Sequence, residues 1–229
     1  MKIDIRGLSE DQIIEFFKKK GFDSYRGRQV YEWIWRKSCY SFDEMTNISK
    51  DLRDVLDNHF VINHIQVDKI QKSFDGTIKN AVKLHDDHTV ESVLIPTDDR
   101  TTACVSSQVG CSLDCKFCAT SKLKRIRNLN PDEIYDQVVT INNQSLKYFN
   151  RPLSNIVYMG MGEPLMNYNN LIKSIEKISS DKGLNMSQKR IVVSTSGIPK
   201  MIKKLADENL KVNLALSLHS AIELSLIHI

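Results

Sequence analysis

The sequence predicts an α/β fold in which a partial (β/α) barrel follows a small helical N-terminal domain and a short antiparallel β meander. Three observations predict this arrangement. Apolar residues recur at helical spacing in residues 1–62, and polar and apolar residues alternate with period two in residues 63–98. From residue 99 to residue 229, short apolar runs alternate with amphipathic segments, which is typical of parallel strands joined by helical crossovers.

The N-terminal domain, residues 1–62, is predicted to be a compact module of helices. Ser9-Glu-Asp-Gln12 has the form of a capping box, and Gly21 is typical of a helix end. Trp33 and Trp35 are interpreted as core residues, because aromatic side chains at helical spacing usually pack inward rather than stack on bases. The helices are expected over residues 10–20, from about Arg28 to Lys37 and from about Asp51 to Phe60.

The meander is predicted to link this domain to the barrel, with strands over Thr77–Leu84 and Thr89–Ile95. The barrel strands are expected over Thr102–Ser106, Asn155–Met159, Arg190–Ser194 and Val212–Leu218. The barrel helices are expected from Pro131 to about Asn142, over Leu171–Ser179 and from Ile198 to about Glu208. These strands are too few to close an eight-stranded barrel, so we expect a barrel that is truncated at its C-terminus.

Three cysteines carry the strongest chemical signal. Cys111, Cys115 and Cys118 form the pattern C-x3-C-x2-C, which supplies three thiolates and no fourth. Structural zinc normally has four protein ligands, whereas iron–sulfur clusters are held by cysteine thiolates. A 4Fe-4S cluster held by three cysteines keeps one iron open for a small molecule. The spacing therefore favours such a cluster over zinc with a borrowed ligand, a disulfide pair or buried free thiols.

The composition sets broad limits on function. The chain has 229 residues, of which 41% are hydrophobic, and its formal net charge of +4 permits an RNA partner without requiring one. Its apolar runs are too short to cross a membrane, and it shows neither the pattern of a signal peptide nor the cysteine content of a disulfide scaffold. We therefore expect a cytoplasmic monomer without a membrane partner.

Basic residues cluster in two places. Such runs are usually solvated surfaces, but the first of these directly follows the cysteine loop, where RNA phosphates would pass an active site. We therefore interpret both clusters as phosphate contacts. They comprise Lys122, Lys124, Arg125 and Arg127 after the loop, and Lys18, Lys19, Lys20, Arg26 and Arg28 in the helical domain.

Several sequence blocks occur in the order found in radical S-adenosylmethionine enzymes. Among these, the chain most resembles the family of adenine carbon-2 methyltransferases of 23S rRNA and tRNA. The resemblance implies methyl transfer through a methyl-cysteine intermediate and a 5'-deoxyadenosyl radical, with an external electron donor such as flavodoxin. The blocks are Phe42-Asp-Glu-Met-Thr46, Val90-Glu-Ser-Val93, Cys104-Val-Ser-Ser-Gln-Val-Gly-Cys111, Met159-Gly-Met-Gly-Glu-Pro-Leu165, Ser194-Thr-Ser-Gly197 and Leu216-Ser-Leu-His219.

The resemblance also implies roles for particular residues. The cysteines of the C-x3-C-x2-C pattern would hold the cluster. Gly162 would let the backbone approach S-adenosylmethionine, and Glu163 would accept a hydrogen bond from its ammonium group. The remaining implied contacts to S-adenosylmethionine are Ser194, Ser217, Leu218 and His219.

Two further residues have implied catalytic roles. Cys104 matches the family's second cysteine, which resolves a protein–RNA thioether by forming a disulfide with the methyl-carrying cysteine. Such a thiol should be accessible and partly thiolate. Glu91 corresponds to the family's proposed proton acceptor, a role suited to an inward carboxylate whose pKa is raised by burial. The alternatives are a buried small apolar residue for Cys104 and a solvent-facing residue for Glu91.

The chain departs from the family pattern after His219. Residues 224–229 do not resemble the family's continuation, and no cysteine follows Cys118 that could carry the methyl group. We therefore expect this chain to be inactive alone. Two other functions stay open, namely the related methyltransferase of adenine carbon 8 and a non-catalytic RNA-binding protein with a structural metal.

Overall fold

The computed structural model describes residues 2–113, 115–116, 118–218 and 220. The chain forms two compact units, one combining Met1–His64 with Lys177–Asn185 and the other combining Ile65–Glu176 with Met186–Ile229. Among the helices of the described residues, none has both the length and the apolar composition that crossing a bilayer requires.

The first unit is mainly helical, as predicted. Its elements are β1 (Ile3–Asp4), α1 (Glu10–Lys19), α2 (Ser24–Trp35), α3 (Lys50–His59) and β2 (Phe60–Val61), and the two short strands pair in parallel. The predicted capping box is confirmed, because Gln12 N donates to Ser9 Oγ at 3.2 Å and Ser9 N donates to Gln12 Oε1 at 2.8 Å. The capping box therefore sets the start of α1.

Helix α2 begins earlier than predicted, at Ser24. Of its two tryptophans, only one is fully buried in the core. Trp35 is 2% exposed, which confirms its predicted burial. Trp33 is only half-buried, and its Nε1 donates to Asn47 Oδ1 at 2.5 Å. A tryptophan with a polar partner at its edge does not need full burial.

The second unit is built on one seven-stranded sheet. Its strands run in the order β11-β10-β9-β6-β5-β4-β3, and β7 and β8 form a separate antiparallel pair. Pairing is antiparallel from β3 to β6 and parallel from β6 through β9 and β10 to β11, which confirms the predicted fold class. The strands are β3 (Gln66–Lys72), β4 (Ile78–Lys83), β5 (Thr89–Pro96), β6 (Thr101–Cys104), β7 (Gln108–Val109), β8 (Arg127–Asn128), β9 (Asn155–Tyr158), β10 (Ile191–Thr195) and β11 (Asn213–Leu216).

The helices α4 (Pro131–Phe149), α5 (Tyr168–Ser179) and α6 (Pro199–Asp207) alternate with the parallel strands. Helix α4 is longer than predicted because the buried polar residue Gln144 masks the apolar period in its second half. Gln144 and Asn80 of β4 exchange two amide hydrogen bonds of 2.7 and 3.0 Å. This exchange satisfies both buried amides and fixes α4 against the meander strands.

The two faces of the sheet differ in exposure. Asn80, Ser92, Ala103 and Ile156 lie on the face covered by α4 and are at most 1% exposed. The opposite face carries a row of only partly buried side chains, namely Lys79, Val93, Cys104, Val157 and Val192.

Arg127 ties the strand that follows the cysteine loop to two other elements. Its Nε and Nη2 lie 2.6 and 2.9 Å from the Asp86 carboxylate in the β4–β5 turn, and its Nη1 lies 2.7 Å from Glu133 Oε2 in the first turn of α4. The hydrogen bonds from Arg127 hold the pKa of Asp86 well below its usual range. The Glu133 side chain is only 2% exposed, so Arg127 compensates a buried charge.

We predict that Arg127→Gln lowers the free energy of unfolding by about 2 kcal/mol, because it removes the guanidinium from the buried Glu133 carboxylate and leaves His85, with Nδ1 3.3 Å from Glu133 Oε1, as the remaining basic group beside it. Urea unfolding followed by circular dichroism measures the loss. Arg125→Gln is the matched control, since Arg125 is exposed and bonds Asn128 at 3.3–3.4 Å. We expect the control to stay within about 0.5 kcal/mol of the parent. Equal stability of the two variants would contradict a stabilising role for the ion pair between Arg127 and Glu133.

Candidate active site

A cavity of about 310 Å³ lies between the cysteine loop, which connects β7 to β8, and the carboxyl ends of β9, β10 and β11. The carboxyl ends of parallel strands meet at one edge of a sheet, so motifs far apart in sequence converge there. Seven of the predicted site residues line this cavity, namely Cys111, Cys115, Cys118, Gly162, Glu163, Ser194 and Ser217.

The base of the cysteine loop is closed by main-chain contacts. Cys111 N donates to Leu123 O at 3.2 Å. Gly110 has φ +74°, and a Cβ at this position would lie 2.3 Å from Lys124 O. A glycine is therefore required immediately before the first cysteine.

The three thiols are a suitable donor set for an iron–sulfur cluster. No disulfide joins any of the five cysteines. Ser121 Oγ lies 2.7 Å from the carbonyl oxygens of both Cys115 and Cys118 and shares its one proton between them, which holds the loop around these two cysteines. In the part of the chain that the structure describes, no three His, Cys, Asp or Glu side chains stand at metal-ligand spacing. The three cysteines nevertheless line one cavity.

The turn after β9 packs directly against the segment that follows β6. A Cβ at Gly160 would lie 2.6 Å from Ser106 Oγ, and one at Gly162, where φ is +93°, would lie 2.5 Å from Gln108 Cβ. Met161 O accepts hydrogen bonds from the main-chain N–H groups of Ser107 and Gln108 at 2.9 and 3.1 Å. Both glycines are therefore needed for the close approach that positions Glu163.

Gln108 and Asn167 are buried site residues that the sequence analysis did not assign. Gln108 Oε1 accepts from Glu163 N at 3.0 Å, and Gln108 Nε2 donates to Asn128 Oδ1 at 2.8 Å. Asn167 Nδ2 donates to Ser107 O at 2.8 Å. Both side chains connect the base of the cysteine loop to the turn that carries Glu163. The sequence feature that could have identified Gln108 as a site residue is the polar run Ser106-Ser-Gln108, directly after an apolar strand.

Glu163 presents a buried carboxylate to the cavity wall. It is 4% exposed, and its Oε1 accepts from Leu165 N at 3.1 Å. Its Oε2 accepts from both Ser196 N and Ser196 Oγ, at 2.9 and 3.1 Å. These donors are neutral, so the carboxylate can still attract a cationic ligand group.

Ser194 and Ser217 line the cavity on neighbouring strands. Their hydroxyl oxygens lie 3.1 Å apart, and Ser217 N donates to Thr195 O at 2.9 Å. Leu218 is 56% exposed and lies outside the lining, because consecutive side chains on an extended chain point in opposite directions. His219 lies outside the described residues, so both implied contacts stay predictions.

Cys104 ends β6 and lies outside the cavity lining. Burial raises the pKa of its thiol to about 11, and this effect outweighs a hydrogen bond from the Met159 main chain. The surroundings of Cys104 therefore favour the protonated thiol over the partly thiolate side chain that its implied role suits, and that role stays a prediction. The alternative of a largely buried small side chain describes its surroundings better.

Glu91 differs from the inward, buried carboxylate that its implied role suits. Its side chain is 48% exposed, and Oε1 lies 2.6 Å from Lys79 Nζ. The main chain of Glu91 is tied to the site instead, because its carbonyl oxygen accepts from Ser106 Oγ at 2.5 Å. The solvent-facing alternative therefore matches the side chain.

The basic residues after the cysteine loop do not behave alike. Lys122, Lys124 and Arg125 are exposed. Arg127 is bonded to Asp86 and Glu133, so the predicted phosphate contact at Arg127 does not fit this structure. Three of the four predicted basic residues therefore remain accessible to a polyanion.

Two family models match the chain. Residues 3–62 match the ribosomal RNA large subunit methyltransferase N-terminal domain, and residues 105–224 match the radical SAM superfamily. The second match covers the cysteine loop and the strands that surround the cavity.

Curated relatives and a solved structure resemble the chain over most of its length. A probable dual-specificity RNA methyltransferase RlmN of Christiangramia forsetii is 70% identical over 96% of this chain and 62% of that protein. The dual-specificity RNA methyltransferase RlmN of Desulfotalea psychrophila is 42% identical over 96% of this chain and 62% of that protein. The crystal structure of a radical SAM methyltransferase from Sphaerobacter thermophilus matches with a TM-score of 0.86 and 36% identity, over 95% of this chain and 64% of that one. The chain thus spans less than two thirds of the length of these proteins.

We predict that Cys104 reacts slowly with iodoacetamide in the folded chain. With a pKa of about 11, only about one thiol in a thousand is ionised at pH 8, whereas an unperturbed cysteine is substantially ionised there. Peptide mass spectrometry should show alkylation on the order of a hundredfold slower than in the urea-unfolded chain, with the gap narrowing as pH rises toward 11. Equal alkylation rates of Cys104 in the folded and unfolded chains at pH 8 would contradict the burial of its thiol.

Proposed function

Because the chain belongs to the radical SAM superfamily, we propose that it carries the cofactor site of an RNA methyltransferase acting on carbon 2 of adenine in 23S rRNA and in tRNA. The observation that carries this proposal is the cavity in which three cysteine thiols face Glu163, Ser194 and Ser217. The names of the relatives support RNA as the substrate. The N-terminal match to a ribosomal RNA methyltransferase domain supports ribosomal RNA as a substrate, and the presence of this helical domain is the reason for proposing carbon 2 over carbon 8.

In this proposal Cys111, Cys115 and Cys118 hold a 4Fe-4S cluster. A cluster bound there would supply the electron for cleavage of S-adenosylmethionine into methionine and a 5'-deoxyadenosyl radical. Glu163 accepts a hydrogen bond from the ammonium group of S-adenosylmethionine, and Gly162 lets the backbone come close to it. Ser194 and Ser217 supply hydroxyl groups at the cavity wall, and Leu218 and His219 complete the proposed contacts.

Cys104 and Glu91 are the proposed resolving thiol and proton acceptor. The raised pKa of Cys104 means that its surroundings must change, or a base must approach, before it can attack a sulfur atom. Glu91 is paired with Lys79, so that ion pair would have to open before the carboxylate takes a proton from adenine.

The proposal includes an external electron donor such as flavodoxin, a monomeric protein and a cytoplasmic location. The five cysteines form no disulfide, which supports a reducing compartment. The exposed Lys122, Lys124 and Arg125 beside the cysteine loop support contact with RNA phosphates.

Anaerobic reconstitution with iron and sulfide tests the cluster site. We expect the parent chain to become brown and to retain iron and sulfide, whereas Cys115→Ala should lose most of both, because two thiolates hold a cluster poorly. Cys39→Ala is the matched control, since Cys39 is 5% exposed and does not line the cavity. Equal iron in the parent and in Cys115→Ala would overturn the cluster assignment.

RNA titration tests the basic surface. We expect the double variant Lys122→Ser with Lys124→Ser to bind tRNA more weakly and to reduce the slope of log affinity against log salt by about 1 for each lost phosphate contact. The matched control is Lys173→Ser with Lys200→Ser, which removes the same charge from exposed positions on α5 and α6. The same loss of slope in both double variants would show that only net charge matters, and would contradict a specific contact.

A further inference from the structure

The hydrogen bonds that the Glu163 carboxylate accepts fix its orientation and leave few acceptor positions for a ligand. An ionised carboxylate offers about four lone-pair positions. Within the described residues, three are occupied, by Leu165 N, Ser196 N and Ser196 Oγ. About one position remains for a ligand, and its direction depends on the donors that hold the other three.

Ser196 supplies two of these three donors from a different strand. It directly follows β10 and lines the cavity, whereas Glu163 follows β9. Gly197, with φ +104°, and the bond from Gly197 N to Thr195 Oγ1 at 3.2 Å turn the chain at this point. The turn brings both donor groups of Ser196 to one carboxylate oxygen, Oε2.

We propose that Ser196 is a positioning residue, which orients the Glu163 carboxylate toward the ammonium group of S-adenosylmethionine. This inference rests on the proposed function, since it concerns the same ligand. Ser196 acts through Glu163 by keeping Oε2 engaged, so that the remaining acceptor position faces the cavity. It also links the ends of β9 and β10, which form two parts of the cavity wall.

The Ser196 hydroxyl can be deleted without disrupting the local fold. Ser196→Ala keeps the main-chain donor to Glu163 Oε2 and deletes only the Oγ donor. Because the hydroxyl is on an exposed residue, its loss leaves no large void. Ser196→Thr restores a hydroxyl on the same carbon and serves as the rescue variant.

Equilibrium dialysis of the reconstituted chain, without reductant, separates positioning from general support of the cavity. The two probes are S-adenosylmethionine and 5'-methylthioadenosine, which keeps the nucleoside and its methylated 5' sulfur, has a neutral thioether in place of the sulfonium, and lacks the amino-acid group. We expect Ser196→Ala to bind S-adenosylmethionine roughly five- to tenfold more weakly and 5'-methylthioadenosine within about twofold of the parent. Ser196→Thr should recover most of the loss, and the iron content should not change.

Exposed Ser187, whose side chain makes no capping hydrogen bond, provides the control Ser187→Ala, which should match the parent for both probes. The inference is overturned if Ser196→Ala binds S-adenosylmethionine as tightly as the parent, or if it loses affinity for both probes equally. A parent chain that binds iron but not S-adenosylmethionine would overturn the proposed function, and this inference with it.

Discussion

The close contact between the Ser106–Gln108 segment and the turn after β9 is the constraint on which the site depends. Gly160 and Gly162 permit it, because any side chain at either position would overlap atoms of that segment. The contact brings the base of the cysteine loop and the Glu163 turn into register through Met161 O and Gln108 Oε1. The spacing between the cysteine loop and the Glu163 turn is therefore determined by main-chain packing and by one buried side chain, Gln108.

Two buried glutamates, Glu133 and Glu163, differ in the groups that bind their carboxylates. Glu133 is paired with the guanidinium of Arg127, which neutralises it and joins β8 to the β4–β5 turn. Glu163 is held by N–H and O–H groups, and no ion pair involving it occurs among the described residues. Buried charge without a protein cation is costly unless a ligand supplies one. The arrangement at Glu163 therefore favours an ammonium-bearing ligand.

Three residues differ in the structure from what the sequence led us to expect, and in each the difference comes from a neighbouring group. Arg127 belongs to a basic run that favours phosphate binding, but it is bonded to Glu133 of the next helix and to Asp86, which lies far away in sequence. The family resemblance implies a reactive thiol at Cys104, but the position of β6 between β5 and β9 buries this side chain, and burial raises its pKa. Glu91 alternates to the partly exposed face of the sheet and meets Lys79 there. In each case a partner brought by the fold decides the state of the side chain.

The sequence by itself determined the fold class, the first helix start at the Ser9 capping box, the cysteine pattern and the strand-end motifs, because these depend on local periodicity and spacing. It did not determine that β5 pairs with β6, which merges the meander and the parallel strands into one sheet, nor the roles of Gln108, Asn167 and Ser196. Those depend on contacts between segments far apart in the chain. Only the tertiary structure brings such partners within hydrogen-bond distance, and therefore only it decides which polar residues serve the site.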